Sequence, residues 1–260
     1  MGWYSIVRRG ASPADAGGGG GSWDPSQLSS LVAWYDVSAE TGYSNGDTIT
    51  SLTDQSGNGI TVNGTGTYNT NVQNGLPVVT QSGNFFVSST VTNFNGHTRA
   101  ILIIVVKDAS SGCLSIDGSS STSRLILKDF GSSYQVLLTM TSPHPTASAG
   151  VNPTGFNLAA ALADDYSGNN SYARPVARIN GTEYTGGSDS SHVGFLSGGH
   201  KVILANSPAG QQVCEAVLVS DDVSYEWTND EPEKLEGYLA HKWGLTGKLP
   251  LSHPYKNAAP

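Results

Sequence analysis

The sequence has few charged residues, few cysteines and no long apolar run. Asp, Glu, Lys and Arg make up 13% of the 260 residues, and only two cysteines are present. So few charges together with 32 glycines favour many strands joined by tight turns over a helical bundle. A chain of this length can bury a sizeable core as a single all-β domain.

The charges that are present are mostly acidic. The chain carries 13 basic and 21 acidic residues, which gives a formal net charge of −8. Binding a phosphate backbone requires clustered Lys and Arg, so we expect no nucleic-acid partner. The longest apolar run, 100–106, has the length of a strand and is far shorter than the roughly 20 residues of a membrane span. We therefore expect no contact with a membrane.

Targeting signals are not evident in the first 22 residues. No continuous apolar segment is followed there by a small-residue cleavage site, and the myristoylation pattern fails because its serine stands at position 5. Cys113 and Cys214 lie far apart among apolar residues. Without an export signal, two buried free thiols are expected in preference to a disulfide.

Residues 1–22 nevertheless differ from everything that follows. Apolar and basic side chains fill the first nine positions: Trp3, Tyr4, Ile6, Val7, Arg8 and Arg9. Five consecutive glycines at 17–21 then form a flexible linker. A frayed terminus is the alternative interpretation. We predict that 1–22 is a docking arm that binds a neighbouring subunit and that 23–260 is the folded body.

The body contains many strand-sized runs separated by turn residues. The predicted strands are 31–36, 77–81, 84–88, 99–107, 113–117, 124–128, 134–139, 156–163, 173–180, 193–196, 201–206 and 212–219. Asn180-Gly181 is a two-residue hairpin signal, because a type I′ turn needs positive φ at both positions. Short strands at this spacing are typical of a jelly-roll sandwich.

Only one stretch, 230–255, has apolar residues that recur with helical period. Four of them share one stripe of a helix: Leu235, Tyr238, Leu239 and Trp243. Asp230 is a candidate N-cap with Glu233 completing a capping box, and Gly244 is a good residue to follow the last turn. We predict one short helix of about 12–14 residues. The proline-containing stretch 245–260 is predicted to be an extended tail laid over the body.

Motifs at both ends of the body resemble a known family. The runs EGYLAHKWGL, LP and HPYK near the C-terminus, and W-x-D with DQSGNG near the start, are similar to laminin G-like domains of the concanavalin A-like lectin/glucanase fold. This family is common in bacterial and bacteriophage surface proteins. The resemblance covers roughly 25–60 and 200–257. It implies an all-β, two-sheet antiparallel β-sandwich of jelly-roll type with one short C-terminal helix. In that fold the helix and tail would form a structural plug over the sheet through Leu235, Tyr238, Leu239, Trp243, His253 and Tyr255.

Because the fold family includes glycoside hydrolases, catalytic and metal-binding patterns bear on the function of this chain. The paired carboxylates E-x-D-x-x-E of its glucanases have no counterpart here, and Glu215 stands alone in its run. The six histidines show no zinc-binding spacing. Oxygens at 54–58 could bind calcium, although a turn held by its own Asx hydrogen bonds is the favoured interpretation. We expect no catalytic residue, no metal and no cofactor, with calcium as the alternative.

Carbohydrate binding would use exposed aromatic side chains beside Asn, Asp and Gly loops. The tyrosine candidates are Tyr43, Tyr68, Tyr134, Tyr166, Tyr172 and Tyr184. Tyrosines in a sandwich are more often half-buried strand residues, which is the favoured interpretation of each.

The sequence and the resemblance together suggest a non-enzymatic virion structural protein of a bacteriophage. A decoration, head-fibre or tail-attachment protein would be made in the host cytoplasm and displayed in many copies on the virion surface. Its arm would bind other virion proteins, and its sandwich could bind cell-surface polysaccharide. The alternative is an extracellular carbohydrate-binding module or adhesin of a bacterium, and a glycoside hydrolase comes third.

Overall fold

The computed structural model describes residues 23–94, 96–97, 99–107, 112–118, 124–129, 133–139, 146–150, 154–166, 172–186, 198–205, 210–221 and 230–260. Fifteen strands and one α-helix are found in these ranges. The strands are β1 (Leu31–Asp36), β2 (Thr48–Leu52), β3 (Val62–Gln73), β4 (Leu76–Gln81), β5 (Phe86–Ser88), β6 (Arg99–Lys107), β7 (Gly112–Gly118), β8 (Arg124–Asp129), β9 (Tyr134–Thr139), β10 (Thr146–Ser148), β11 (Asn157–Tyr166), β12 (Tyr172–Ile179), β13 (Thr182–Thr185), β14 (His200–Leu204) and β15 (Gln212–Asp221). The helix is α1 (Glu231–Lys242), and Pro25–Gln27, Val37–Ala39 and Thr246–Lys248 are single 3₁₀ turns.

The strands form one antiparallel ladder that is folded into two layers. Its hydrogen-bonded order is β10-β9-β8-β7-β14-β5-β3-β4-β15-β6-β11-β12-β13, with β1 on β15 and β2 on β3. Strands β11 and β12 also contact β8, β9 and β10, with which they share no ladder, so these strands face each other across the core. The predicted all-β antiparallel sandwich with one short C-terminal helix is confirmed.

Strand β3 carries the chain from one layer to the other. Its first half pairs with β2 and β5, and its second half pairs with β4. Gly64 and Gly66 lie at this crossing, where a Cβ on either would fall within 3.0 Å of a neighbouring atom. Strand β3 was not among the predicted strands, because its Asn, Thr and Gly residues do not alternate with apolar ones over its length.

The central strands are buried on both faces. In β6, Leu102 and Ile104 point into the core between the layers, whereas Ile101 and Ile103 point into a second core beneath α1. Because alternate residues of a strand face opposite sides, a strand covered on both sides must be apolar throughout. The uninterrupted run at 100–106 is therefore explained by α1 and the tail, which cover the outer face of this layer.

Helix α1 spans 12 residues, as the periodicity predicts, but begins differently. Asp230 occupies the N-cap position and makes no capping bond. Its carboxylate instead accepts from the Tyr255 hydroxyl at 3.0 Å, and Glu233 lies 3.9 Å from Arg178. The predicted capping box is therefore wrong, because tertiary partners bind both carboxylates. At the other end, Gly244 has φ +68° as expected for the residue after a helix.

The tail follows the body, as predicted, but it is not extended. A 3₁₀ turn at Thr246–Lys248 and further turns lead it past the end of α1. Leu249 is buried, and the Lys248 ammonium is bound by the carbonyl oxygens of Thr154 and Phe156 at 2.9 and 2.6 Å. The prolines favour turns here because their fixed φ suits turn positions.

Two local predictions are confirmed. Asn180 and Gly181 have φ of 51° and 79° and join β12 to β13. Cys113 and Cys214 are buried and are not joined in a disulfide. Within the described ranges, no helix has the length and apolar character needed to cross a membrane.

We predict that Gly237→Ala destabilises the protein, although alanine is the better helix former by about 1 kcal/mol. A Cβ at Gly237 would lie within 3.0 Å of the Tyr255 side chain, which packs on the helix. Overpacking of this kind costs about 1–3 kcal/mol, measurable by urea unfolding. The control is Gly247→Ala, where nothing lies within 4 Å and a change within about 0.5 kcal/mol is expected. Equal stability of the two variants would contradict the packing of Tyr255 on α1.

Candidate functional site

A buried carboxylate lies where α1 meets the sheet. Strand β15 has a register shift between Val213 and Glu215, and such a bulge turns consecutive residues to one side. Glu215 is 0% exposed and accepts hydrogen bonds from the indole N–H groups of Trp34 and Trp243, both at 2.7 Å. The bulge therefore aims an acidic side chain from the centre of the sheet at the helix.

One ammonium group joins this carboxylate to a second one. Lys242 Nζ lies 2.7 Å from Glu215 Oε2 and 2.6 Å from Asp36 Oδ2. Burial and the neighbouring Asp36 raise the pKa of Glu215, while Lys242 and the Trp243 indole oppose that rise. The cluster of Trp34, Asp36, Glu215, Lys242 and Trp243, called here the helix lock, thus connects β1, β15 and α1.

Aromatic rings close the helix lock on its outer side. Tyr238 packs edge-to-face on Trp34 and on Trp23, with ring centroids 6.4 and 6.0 Å apart. The Tyr238 hydroxyl also lies 3.3 Å from Lys242 Nζ. Burial and the nearby carboxylates Glu215 and Asp36 raise the pKa of Tyr238, so its hydroxyl remains protonated at neutral pH. Tyr238 thereby connects the helix lock to Trp23, the first described residue of the body.

A second ionic cluster ties α1 to the β12–β13 hairpin and the tail. Glu236 is 1% exposed and accepts from the Arg178 guanidinium at 2.9 and 2.8 Å. His253 Nε2 lies 3.1 Å from the same carboxylate. Burial acts to raise the pKa of Glu236, but the hydrogen bonds from His253 and Arg178 outweigh it, so the pKa lies below its ordinary value.

This cluster forms the floor of a surface depression. The depression has a volume of about 260 Å³ and is lined by Arg178, Gly181, Thr182, Glu183, Glu233, Pro250, Ser252, His253 and Pro254. Arg178 also holds Glu183 at 2.9 Å. Because its charged groups bind one another, the depression is the surface opening of a structural ion-pair network.

The six residues predicted to plug the sheet lie together around α1. Leu235, Leu239 and Trp243 are 0% exposed in the second core. His253 is buried, and Tyr238 and Tyr255 are partly buried. Burying an apolar side chain of this size contributes about 1.5–3 kcal/mol each. The residues predicted for the docking arm, at 3–9, lie outside the described residues.

The turn considered for calcium binding uses its oxygens internally. Asp54 accepts from the backbone N–H groups of Trp34, Ser56 and Ile60 at 2.9–3.0 Å. Asn58 turns its amide nitrogen to the carbonyl of Val32 at 2.9 Å. Across the described part of the chain, no group of three or more His, Cys, Asp or Glu side chains could hold a metal ion. The favoured Asx-turn interpretation accounts for these contacts, and calcium binding stays the untested alternative.

The tyrosines considered for carbohydrate binding are mostly core residues. Tyr68 and Tyr134 are 6% and 1% exposed, so neither can stack on a sugar at the surface. Tyr43 and Tyr184 pack partly buried against the same core. The half-buried strand interpretation therefore fits Tyr184, whereas Tyr68 and Tyr134 are strand residues that are buried more deeply and Tyr43 is a partly buried loop residue. The side chains at 166 and 172 lie outside those described.

The helix lock also bears on the hydrolase alternative. Asp36 and Glu215 bind the same ammonium and are therefore about as close as the roughly 5 Å that separates the carboxylates of retaining glycosidases. Substrate cannot reach them, since Glu215 is fully buried and both its oxygens accept from indoles. Sequence reasoning missed the partners of Glu215, because Asp36 and Lys242 are distant from it in the chain.

The chain resembles known proteins in its fold, at low sequence identity. No protein-family model and no curated protein matches the chain. Among solved structures, the chain is similar to the binding domain of botulinum neurotoxin DC in complex with rat synaptotagmin II. The match covers 78% of this chain and 50% of the toxin chain, at 11% sequence identity and a TM-score of 0.48. A carbohydrate esterase from the Shiga toxin-encoding bacteriophage phi24B matches over 74% and 98%, at 11% identity and a TM-score of 0.38. The carbohydrate recognition domain of Emp47p matches over 76% and 99%, at 9% identity and a TM-score of 0.35. The chain thus spans about half the length of the toxin domain.

We predict that Lys242→Met destabilises the protein by about 3–5 kcal/mol, because it leaves buried Glu215 without a cation. Lys234→Met is the matched control on the same helix. Its partly exposed pair with Asp230 should contribute less than about 1 kcal/mol. Adding Glu215→Gln to Lys242→Met should recover part of the loss. Equal effects of the two lysine changes in urea unfolding would contradict the lock.

A second prediction concerns acid stability. Because the pKa of Glu236 is lowered in the folded state, its contribution is complete above about pH 4.5 and is lost as the pH falls through the folded pKa. Glu236→Gln should therefore cost about 3 kcal/mol at pH 7. The gap from wild type should narrow as the pH falls below about 4.

Urea unfolding at several pH values between 7 and 3.5 measures this gap. Glu233→Gln is the control, since its carboxylate is partly exposed and 3.9 Å from Arg178, and it should cost under about 1 kcal/mol throughout. A gap for Glu236→Gln that stays constant with pH would contradict the assigned ion pair.

Proposed function

We propose that this protein is a non-enzymatic, lectin-like structural component of a bacteriophage virion. In this proposal, body 23–260 is a sandwich of the laminin G-like type that stands on the particle surface. Residues 1–22 anchor it to other virion proteins, and many copies assemble on each particle. The protein is made in the host cytoplasm, which fits two cysteines that form no disulfide.

The observation that carries this proposal is the attachment of Trp23 to the helix lock. Trp23 packs on Tyr238, which in turn contacts Lys242. The body therefore holds Trp23, the residue that follows the last residue of the arm, at a fixed point on its surface. An apolar, basic segment joined to that point by glycines can bind a neighbouring subunit while the body stands clear of it.

Residues of the family-like motifs bind other residues of the body 23–260. Trp34 and Asp36 of the first motif bind Glu215 and Lys242, and Glu236 of the second motif binds Arg178. These residues stabilise the fold and leave no free group for a ligand. Binding of host polysaccharide would therefore use other parts of the surface.

Burial of carboxylates supports a role in binding over one in catalysis. Asp36, Glu215 and Glu236 are all buried and paired with Lys242 or Arg178. A general acid must reach the substrate, which none of these three can do without opening the second core.

Deletion of residues 1–22 tests the proposal. The truncated body should fold, with the β-rich circular dichroism and the melting temperature of the full chain, because its cores lie within 23–260. It should be lost from particles purified after infection, as measured by mass spectrometry. A full-length variant with serine at Trp3, Tyr4, Ile6 and Val7 keeps the tether and should be lost as well.

Normal incorporation of the truncated body would show that the body makes the docking contacts. Absence of the full-length protein from purified particles would overturn the virion assignment and favour the bacterial adhesin.

A further inference from the structure

The helix lock holds an amine and a carboxyl group in contact inside the protein. Lys242 Nζ lies 2.6 Å from Asp36 Oδ2, although the two residues are 206 positions apart in the chain. Asp36 is 8% exposed, and Glu215, 2.7 Å from the same Nζ, is 0% exposed. Groups fixed in contact react as if present at an effective concentration of about 10⁵–10⁸ M, which favours condensation of an amine with a carboxyl group.

The two oxygens of Asp36 have different partners. Oδ1 accepts hydrogen bonds from the backbone N–H and the hydroxyl of Ser38 at 2.9 and 2.6 Å, whereas Oδ2 faces Lys242. The two donors are placed like those of an oxyanion hole, because they stabilise negative charge that develops on Oδ1 when Cγ is attacked. Oδ1 is thus placed to remain as the carbonyl oxygen of an amide, and Oδ2 is placed to leave.

Glu215 is placed to carry protons. Its Oε2 lies 2.7 Å from Lys242 Nζ, and the indoles of Trp34 and Trp243 each donate to its carboxylate at 2.7 Å. Burial and the charge of Asp36 raise the pKa of Glu215, so it takes up a proton more readily than an exposed glutamate. A base in hydrogen-bond contact with an amine can remove its proton and deliver it to a leaving group.

Aromatic rings surround the amine. Lys242 Nζ lies 5.6 Å from the ring centroids of both Tyr238 and Trp243, and 3.3 Å from the Tyr238 hydroxyl. The whole Lys242 side chain is 19% exposed. Water is a product of amide formation, so a site from which water is largely excluded favours the amide and protects it from hydrolysis.

We infer that Lys242 and Asp36 condense to an intramolecular amide after the chain has folded. Glu215 takes a proton from the Lys242 ammonium, and the neutral Nζ attacks Asp36 Cγ. The N–C bond forms and the Cγ–Oδ2 bond breaks, while Glu215 passes two protons in all from nitrogen to Oδ2, which leaves as water. One ammonium and one carboxylate thus give one amide and one water, with no oxidation or reduction.

The ion pair of the helix lock is the state from which this reaction starts. In the product, the amide N–H takes the place of the ammonium beside Glu215, and the bond joins the end of β1 to the end of α1. Like a disulfide that closes a long loop, it restricts the unfolded chain and so favours the folded state. Unlike a disulfide, it persists in a reducing cytoplasm. The inference goes beyond the proposed virion role and does not depend on it.

Intact-mass spectrometry of the denatured full chain tests the inference. Wild type purified from cells should be lighter than its sequence by one water, about 18 Da. Proteolytic digestion should release a branched peptide that contains both Asp36 and Lys242. On a denaturing gel the linked chain should migrate ahead of Lys242→Arg, because the closed loop makes its unfolded form more compact.

Two variants and a control assign the chemistry. Lys242→Arg keeps the positive charge, but a guanidinium is not deprotonated in proteins, so this variant should have its sequence mass. Glu215→Gln cannot take up the proton and should slow formation of the link about 100-fold or more, followed by intact mass at intervals after cell-free synthesis. The control, Lys234→Arg, changes a partly exposed pair with Asp230 on the same helix and should still lose one water.

Two results would overturn the inference: wild type at its sequence mass, or a loss of water that persists in Lys242→Arg and so arises at another residue. Formation of the link by Glu215→Gln at the wild-type rate would contradict the role of Glu215 as proton carrier. The mass and the branched peptide are read from wild type, so the decision does not depend on the folding of any variant. Incorporation into particles tests the virion role separately.

Discussion

The structure depends on the placement of one ammonium group, that of Lys242, between Asp36 and Glu215. A carboxylate at the centre of a sheet is costly to bury unless a cation and hydrogen-bond donors accompany it. The end of the helix supplies the cation and one donor through Lys242 and Trp243, and Trp34 of β1 supplies the second donor. In covering that charge, α1 also covers the apolar outer face of β6, β11 and β15. The ionic contact gives the helix its position, and the apolar contacts contribute most of the stability.

The buried charged groups around the helix are held by pairing with one another. The helix lock and the Arg178–Glu236 pair are closed networks whose members bind one another. They contain the most conspicuous residues of the family-like motifs, which therefore report on the fold and give little information about the ligand.

Much of the fold could be predicted from local pattern. Strands β6 and β9 and the length of α1 follow from uninterrupted or periodic apolar residues, and the hairpin at Asn180 follows from its turn chemistry. Strand β3 could not be predicted, because its polar, glycine-containing sequence serves a crossing between layers. The prediction that Asp230 caps α1 was also wrong, because its carboxylate accepts a hydrogen bond from Tyr255, 25 residues later. Local preference is outweighed where a distant partner offers a stronger contact.

For the candidate site, too, some features could be predicted from the sequence and others only from the folded structure. The sequence by itself determined the all-β class, the single helix and the absence of a local carboxylate pair, because these depend on residues that are neighbours in the chain. Only the tertiary structure decided that Glu215 is joined to Asp36 and Lys242 and that Tyr68 and Tyr134 belong to the core. Burial and pairing depend on which residues meet in the folded chain, and Glu215 follows Asp36 by 179 positions in the sequence.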